Sequence, residues 1–395
     1  MPTENRSIVH FDLDSFFVEV ERLQNSQLKG VPVIIGGHSD RAVVASCSYE
    51  TRKFGVHSAM PMKRALTLCP QAVVVSGHMD LYGKYSHMVT EIISEASPLY
   101  EKASIDEHYI DITGMDRYFG SQKFAHELRM RIINETGLPI SFGLSVNKTV
   151  AKIATSAAKP NGEKYVPIEM VRDFLNPLPV NKIPMIGAKT TEVLHKNNIY
   201  TIEQLSNISQ LQVEKMLGNY GVMVWNKANG IDNSPVIPSH ERKSISTEET
   251  FDIDIDDLKF IDGLMVYMTE KLAYQLRREE KLASCVTVKI RYSSFETQTI
   301  QKQIPNSAFD DVILGTSREL FKKLYKKGLK IRLIGIRLSN LVQGSQQIDL
   351  FNDTTEMINL YQALDNMKKK YGKNAIQRAG GMKSRGDTDS SIPKG

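Results

Sequence analysis

Apolar and polar positions alternate with a period of two in several short stretches, and each such stretch predicts a half-buried strand. In IVHFDLD, residues 8–14, Val9, Phe11 and Leu13 share one face while Ile8, His10, Asp12 and Asp14 share the other. A buried apolar side is thereby paired with a side that carries acids, and Asp12 stands near the strand's end. Residues 109–113 read as a second strand. Asp106 and Glu107 precede it and would point to opposite faces of regular extended chain, so both can face one site only at a turn or a strand terminus. VPVIIGG at 31–37 predicts a further strand, and YETRKFG at 49–55 a helix. LSVNKTVAKIATSAAKPNG at 144–162 predicts a helix running into a Lys-Pro turn. In SCVTVKIRY, Val286, Val288 and Ile290 alternate with Thr287, Lys289 and Arg291, a half-buried strand with a basic outer face. LIGIRLS repeats the scheme, with Ile334, Ile336 and Leu338 inside and Arg337 and Ser339 outside. EMINLYQALDNMKKKYG reads as an amphipathic helix with Met357, Leu360, Tyr361, Leu364 and Met367 on one stripe. From Arg378 onward Gly, Ser and charged residues predict disorder.

At 395 residues the chain is too long for one typical domain and can support several cores. Its 41% apolar and 24% charged content is that of a soluble globular protein. No stretch approaches a membrane-spanning length, and the polar start MPTENRS is not a signal peptide, which predicts a cytoplasmic protein without a membrane partner. Cys47, Cys69 and Cys285 are not spaced like zinc ligands and read as free thiols in a reducing compartment. The net charge of +5 is modest for a nucleic-acid-binding protein, because acids such as the DIDIDD run at 252–257 offset the basic residues. Positive charge concentrates in KKLYKKGLKIRLIGIR at 322–337 and after Asn366, where a solvated face is the ordinary reading.

Two strings carry chemistry. FDLDSFF at 11–17 and SIDEHYIDITG at 104–114 place carboxylates on two strand-like segments far apart in the sequence. A pair of divalent cations about 4 Å apart, bridging a triphosphate and an attacking hydroxyl, needs oxygen ligands that converge from separate rigid elements. Taken singly, either string reads equally well as acids that are solvated or that cap a following helix.

Together with the fingers-like string VVASCSYETRKFGVHSAMPMKRA at 43–65, these strings resemble the Y-family (lesion-bypass) DNA polymerases, most closely the bacterial DNA polymerase IV type, through almost the whole chain. The resemblance implies that Asp12, Asp106 and Glu107 are catalytic ligands of two Mg²⁺ ions, joined by the backbone carbonyl of Leu13. Asp14 is not a ligand in the family and is read as a cap of the helix beginning at Ser15 or Phe16. Phe17 falls at the steric gate, which clashes with a 2′-hydroxyl on the incoming nucleotide. Tyr49 and Arg52 fall at positions that hold the triphosphate, with Ser46 a helper and Lys159 the lysine that reaches it. An Arg fork and a phenol hydroxyl suit phosphate oxygens. Lys148 and Lys152 read as surface charges or DNA contacts.

The resemblance further implies a multidomain α+β fold, a right-hand polymerase. A mixed-sheet palm is expected at 1–20 and 77–168, small fingers at 21–76 and a helical thumb at 169–236. A linker at 237–242 leads to a little finger of sheet plus helices at 243–342, and a tail follows at 343–395. PVNKIPMIGAKTTEVLHKNNIYTIEQL in the thumb resembles a helix-hairpin-helix, which binds DNA phosphate through backbone N–H groups without reading sequence. Its usual Gly-x-Gly reads Met185-Ile186-Gly187, so one glycine is lost and binding falls to Gly187 and Ala188. Lys289, Arg291 and Arg337 on the little-finger sheet are the expected duplex contacts. Gln347, Ile348, Leu350 and Phe351 match the peptide by which bacterial polymerases dock on the sliding clamp, although the chain continues to residue 395. No motif assigns a task to residues 352–395.

The expected activity is template-directed addition of deoxynucleoside triphosphates to a primer on DNA, by two-metal phosphoryl transfer, with low fidelity and no proofreading, by a monomer. A nucleotidyl cyclase with a palm-like fold and a non-catalytic DNA-binding scaffold at the sliding clamp are the two alternatives. The cyclase has no use for a hairpin, a basic-faced sheet or a clamp peptide. The scaffold leaves the three acids with Tyr49, Arg52 and Lys159 unexplained.

Overall fold

Val9, Phe11 and Leu13 are buried, and their strand is the centre of a five-stranded mixed sheet in the computed structural model, which describes residues 6–115, 120–238, 241–344, 355–372 and 375–382. Two units divide after residue 240. The first begins with β1 (Ile8–Leu13), α1 (Phe16–Gln24), β2 (Val33–Gly36), β3 (Val44–Cys47), α2 (Tyr49–Arg52), α3 (Met62–Leu68), β4 (Val73–Val75) and α4 (Met79–Ala96). It continues through β5 (Tyr100–Lys102), β6 (Glu107–Asp111), α5 (Ser121–Thr136), β7 (Ile140–Ser145), α6 (Lys148–Ala158) and β8 (Glu163–Tyr165). Five helices close it: α7 (Val171–Leu175), α8 (Ala188–Lys196), α9 (Ile202–Asn207), α10 (Gln210–Leu217) and α11 (Asn219–Ala228).

The large sheet runs β5-β6-β1-β7-β8, with β6 and β7 antiparallel to β1 and β8 parallel to β7. One face, with Phe11, Ile110 and Phe142, packs on Val89 and Ile93 of α4 and on Leu128 and Ile132 of α5. The other face is covered as well, because α6 lies over β1 and β7. A Cβ on Gly143 would stand 2.2 Å from the Ala151 carbonyl oxygen and 2.5 Å from the Thr155 nitrogen, so only glycine lets this helix approach so closely. The Asn147 side chain caps α6 by accepting from the Val150 N–H at 3.0 Å. On β1 this burial takes in Ile8 and His10 and leaves Asp12, at the strand's end, partly open.

A small sheet ordered β3-β2-β4 buries Ile34, Val44 and Cys47 with Met62 and Ala65 of α3. Helices α7 to α11 enclose Val180, Ile183, Leu194, Leu205 and Val224. Thr201 and Ser209 each start a helix with a capping box.

The second unit is β9 (Ser244–Ile255), α12 (Leu258–Arg278), β10 (Lys281–Tyr292), β11 (Thr297–Ser307), α13 (Asp310–Leu324), β12 (Ile331–Gln343), α14 (Thr355–Tyr371) and α15 (Ala379–Met382). Its antiparallel sheet runs β11-β10-β12-β9. Val286, Val288 and Ile290 lie opposite Leu338, Ile336 and Ile334, and all six are buried in a core shared with α12 and α13.

Two expectations for the tail are corrected. The apolar residues of α14 do not form one inward stripe: Tyr361 is buried, but Leu360 and Met367 are exposed. The surface it meets is aromatic and charged, so it selects Tyr361 and Asp365. Tyr361 stacks on Phe309 at 5.3 Å with the Arg277 guanidinium 4.6 Å from its ring, and Arg277 pairs with both Asp310 and Asp365 at 2.7 Å. Of the segment from Arg378 onward, residues 378–382 are ordered, Arg378 pairing with Asp311 at 2.7 Å and leading into α15, and residues 383–395 lie outside the described residues.

Candidate active site

Antiparallel pairing sets Asp12, at the end of β1, directly opposite Glu107, the first residue of β6. Side chains of directly opposed residues share a sheet face, so two acids far apart in sequence meet there. Asp106 lies in the bend before β6, and its carbonyl accepts the Leu13 N–H at 3.1 Å. Ser104 shapes that bend: its hydroxyl donates to Asp106 Oδ1 at 2.5 Å and accepts the Glu107 N–H at 3.0 Å. Asp106 thus stands in the bend just outside the strand that Glu107 begins.

Ammonium groups from α6 and its C-cap meet these acids. Lys159 Nζ lies 2.5 Å from Asp12 Oδ1 and 3.3 Å from the Leu13 carbonyl oxygen. Lys152, read from sequence as a surface charge or DNA contact, instead donates to both oxygens of Glu107 at 2.6 Å. Burial pushes the Asp12 carboxyl up, and Lys159 pulls against it. Burial also opposes ionisation of Glu107, but the His10 ring and the Lys152 ammonium hold it well below the usual carboxylate range. His10 is itself buried and kept neutral, pushed down to about 4 by desolvation. Its Nδ1 meets Thr155 Oγ1 at 2.8 Å, while its Nε2 has no hydrogen-bond partner among the described residues and lies 3.9 Å from Glu107 Oε2.

Asp14 does not cap α1. Ser15 takes the N-cap position with no side-chain hydrogen bond, and Asp14 turns inward, 2% exposed. It accepts from Tyr49 Oη at 2.8 Å, Ser141 Oγ at 2.7 Å and the Asn161 N–H at 2.8 Å. It therefore ties α2 to β7 and to the turn after Lys159, and the Tyr49 hydroxyl is engaged with it. Burial and this carboxylate keep the phenol protonated, a neutral donor. Arg52 stacks over the Tyr49 ring at 4.5 Å and donates from Nε to the Cys47 carbonyl at 3.2 Å.

A cavity of about 210 Å³ is lined by Asp12, Leu13, Phe17, Ser46, Arg52, Asp106 and Lys159, so these sequence-predicted residues share one space, while Tyr49 and Glu107 are not among its lining residues. Phe17 lies flat on Tyr82, ring centres 4.2 Å apart and planes within 10°. The Tyr82 hydroxyl donates to buried Glu21 at 2.6 Å, which fixes the ring behind Phe17.

The donor set is three carboxylates and a backbone carbonyl, all hard oxygen, which suits a small divalent cation better than a soft metal. The Lys159 ammonium bridges the Asp12 and Leu13 oxygens, so a positive group already fits between two of these donors. Among the described residues no three His, Cys, Asp or Glu side chains are arranged to hold a metal ion, and Lys152 and Lys159 pair with two of the acids.

The predicted DNA contacts lie elsewhere. Gly187 is the N-cap of α8 and Ala188 its first residue. Met185, in the place of the lost glycine, adopts the left-handed φ of +80° that glycine favours, with its carbonyl accepting from Tyr220 Oη at 2.7 Å. In the second unit, Arg337 is exposed and lies opposite Thr287 on the outer sheet face. Lys289 is paired with Glu248 at 2.8 Å, and Arg291 donates to Thr297 at 2.8 Å. Gln347, Ile348, Leu350 and Phe351 lie outside the described residues. Ser104, Ser141, Lys152 and the inward role of Asp14 escaped the sequence reading. Of these only Ser104, inside the SIDE string, had a local signal.

Comparison with known proteins agrees with this geometry. Residues 11–156 match the impB/mucB/samB family, residues 242–350 the impB/mucB/samB family C-terminal domain, and residues 169–199 the IMS family HHH motif. A DNA polymerase IV of Dehalococcoides mccartyi (strain CBDB1) is 38% identical over 376 residues, 94% of this chain and 96% of the relative. A DNA polymerase IV of Staphylococcus haemolyticus (strain JCSC1435) is 38% identical over 341 residues, 86% of this chain and 95% of the relative. A solved chimeric Y-family DNA polymerase is similar with a TM-score of 0.77 at 25% identity, covering 86% of this chain and 100% of the chimera.

Proposed function

The chain belongs to the impB/mucB/samB family of Y-family DNA polymerases and is a DNA-directed DNA polymerase of the translesion class, and from that premise we propose that it extends a primer 3′-hydroxyl at the site built on Asp12, Asp106 and Glu107. The observation that carries this assignment is the register that sets Asp12 opposite Glu107, with Asp106 tied to Leu13 beside them. Polymerases of this kind depend on a divalent metal. Two Mg²⁺ would be held by the three carboxylates and the Leu13 carbonyl, and when bound they acidify the attacking hydroxyl and neutralise charge on the leaving pyrophosphate.

The chain's own residues do the rest. Arg52, Lys159 and Ser46 line the cavity and take the triphosphate oxygens, Tyr49 joins them once its hydroxyl leaves Asp14, and charge-assisted donors there favour the pyrophosphate as it leaves. Phe17, backed by Tyr82, fills the space a 2′-hydroxyl would need. Lys159 serves two partners in turn, Asp12 and then phosphate. Low fidelity and the lack of proofreading follow from the resemblance to lesion-bypass enzymes.

The same reading assigns the palm to 1–20 and 77–168, the fingers to 21–76, the thumb to 169–236 and the little finger to 243–342. Gly187 and Ala188 meet DNA phosphate through backbone N–H groups, and Lys289, Arg291 and Arg337 meet the duplex without reading sequence. Residues 347–351 dock on the sliding clamp. The enzyme acts as a cytoplasmic monomer; among the described residues no helix is long and apolar enough to cross a membrane.

Single-nucleotide incorporation on a primed template with Mg²⁺ tests the assignment. The template-matched deoxynucleotide should extend the primer, and Asp12→Asn and Glu107→Gln should each abolish extension while leaving DNA binding intact. A cyclic nucleotide formed without DNA would point to a cyclase. DNA binding without any extension by the folded chain would leave a scaffold.

A further inference from the structure

Three lysines along α6 and its C-cap each meet an acid of the large sheet. Lys148 pairs with Glu101 of β5 at 2.7 Å, Lys152 with Glu107 of β6 at 2.6 Å, and Lys159 with Asp12 of β1 at 2.5 Å. Lys148 also meets the Pro235 carbonyl at 3.3 Å, while Glu101 accepts the Ile237 N–H at 2.8 Å, so that pair straps the chain after α11. Lys159 is accounted for by phosphate. Lys152 has no task in the mechanism above, yet it holds both oxygens of a proposed metal ligand.

We propose that Lys152 is a positioning residue that acts as the resident counter-ion of Glu107, fixing its carboxylate and competing with the divalent cation for it. This rests on the assignment of Glu107 as a metal ligand. Two side chains bear on that carboxylate. Lys152 takes both oxygens from the helix side, and the His10 ring stands behind, its unpartnered Nε2 3.9 Å away. Gly143 sets the height of α6 above the sheet and therefore where the Lys152 ammonium reaches. A cation that takes a Glu107 oxygen must share it with, or take it from, an ammonium already in contact. The lysine thus holds the acid in a working orientation and at the same time weakens cation uptake.

These two effects have opposite signs, which makes them separable from a purely structural role. Mn²⁺ binding is read by electron paramagnetic resonance on the full chain with primed DNA and a non-incorporable deoxynucleoside triphosphate analogue, and single-turnover incorporation is measured at saturating Mg²⁺. Lys152→Met should tighten Mn²⁺ by at least on the order of tenfold, since removing a like charge about 6 Å from a divalent cation is worth that much even at a water-like dielectric, and should slow incorporation on the order of tenfold or more as the ligand loses its holder. Lys152→Arg should bring both values back toward wild type. If the Met variant does not fold, Lys152→Gln, which keeps a donor without charge, is expected to behave the same way. Mn²⁺ binding that is unchanged or weaker in the uncharged variant overturns the proposal. Failure of the wild type to take up Mn²⁺ under these conditions overturns the metal-ligand assignment along with it.

Discussion

Removing the Asp14 carboxylate should loosen the first unit more than any change to a solvated acid. Asp14→Ala strands three donors, the Tyr49 and Ser141 hydroxyls and the Asn161 N–H, all within 2.8 Å of a carboxylate only 2% exposed. Hydrogen bonds to a charged acceptor contribute about 1.5–3 kcal/mol each, so the simple sum is about 4.5–9 kcal/mol. Releasing a buried charge from its desolvation cost offsets part of this, and the three bonds share one acceptor and are not additive. The net expectation is a loss of about 3–5 kcal/mol, below the simple sum of three charge-assisted bonds. The chain's one tryptophan, Trp225, lies in α11 of the first unit, so urea unfolding followed by its fluorescence reports on that unit. Ser141→Ala removes a single donor and should cost about 1–2 kcal/mol on the same scale. An Asp14→Ala unfolding free energy within about 0.5 kcal/mol of wild type, in the range of an ordinary surface substitution, would refute the argument.

Gly143→Ala should drive α6 off the sheet, since an atom 2.2 Å from the Ala151 carbonyl oxygen must open to ordinary contact; a displacement of about 1 Å at Lys152 and Lys159 should cut incorporation about 10²-fold, and wild-type kinetics would contradict it. Met185→Gly should relieve a left-handed backbone at φ +80°, raising urea stability by up to about 1 kcal/mol; a loss of stability would show that contacts of the Met side chain outweigh the strain. Tyr361→Ala removes a ring stacked on Phe309 and bonded to Asp311 at 2.9 Å, and should destabilise the second unit by about 3–5 kcal/mol in calorimetry; an unshifted transition would show that α14 does not support that unit.

Alternation made the strands legible, and with them the depth of Val9, Phe11, Val288 and Ile336, because a period of two is written into neighbouring residues. The bend at Asp106 was legible too, since two adjacent acids cannot share a face in regular strand. What escaped depends on which residues face each other across strands and helices. Nothing near Asp14 in sequence announces that Tyr49, Ser141 and Asn161 converge on it, and the helix starting beside it made a cap the obvious local reading. Lys152 sits on an amphipathic helix where lysines are ordinarily solvated, and only the close approach allowed by Gly143 carries it to Glu107. Helix α14 was legible as a helix, but its buried side was not, because the surface it docks on presents Phe309 together with Arg277 and Asp310, which a stripe of aliphatic residues does not predict.

The most direct test of the account is primer extension with Mg²⁺ and all four deoxynucleotides on undamaged template and on template carrying a minor-groove guanine adduct, with Asp106→Ala alongside. Extension by the wild type past the adduct, lost on both templates in a folded, DNA-binding Asp106→Ala protein, is the predicted result. Undiminished extension by Asp106→Ala would contradict the site, and a wild type that copies plain DNA but halts at the adduct would contradict the lesion-bypass reading.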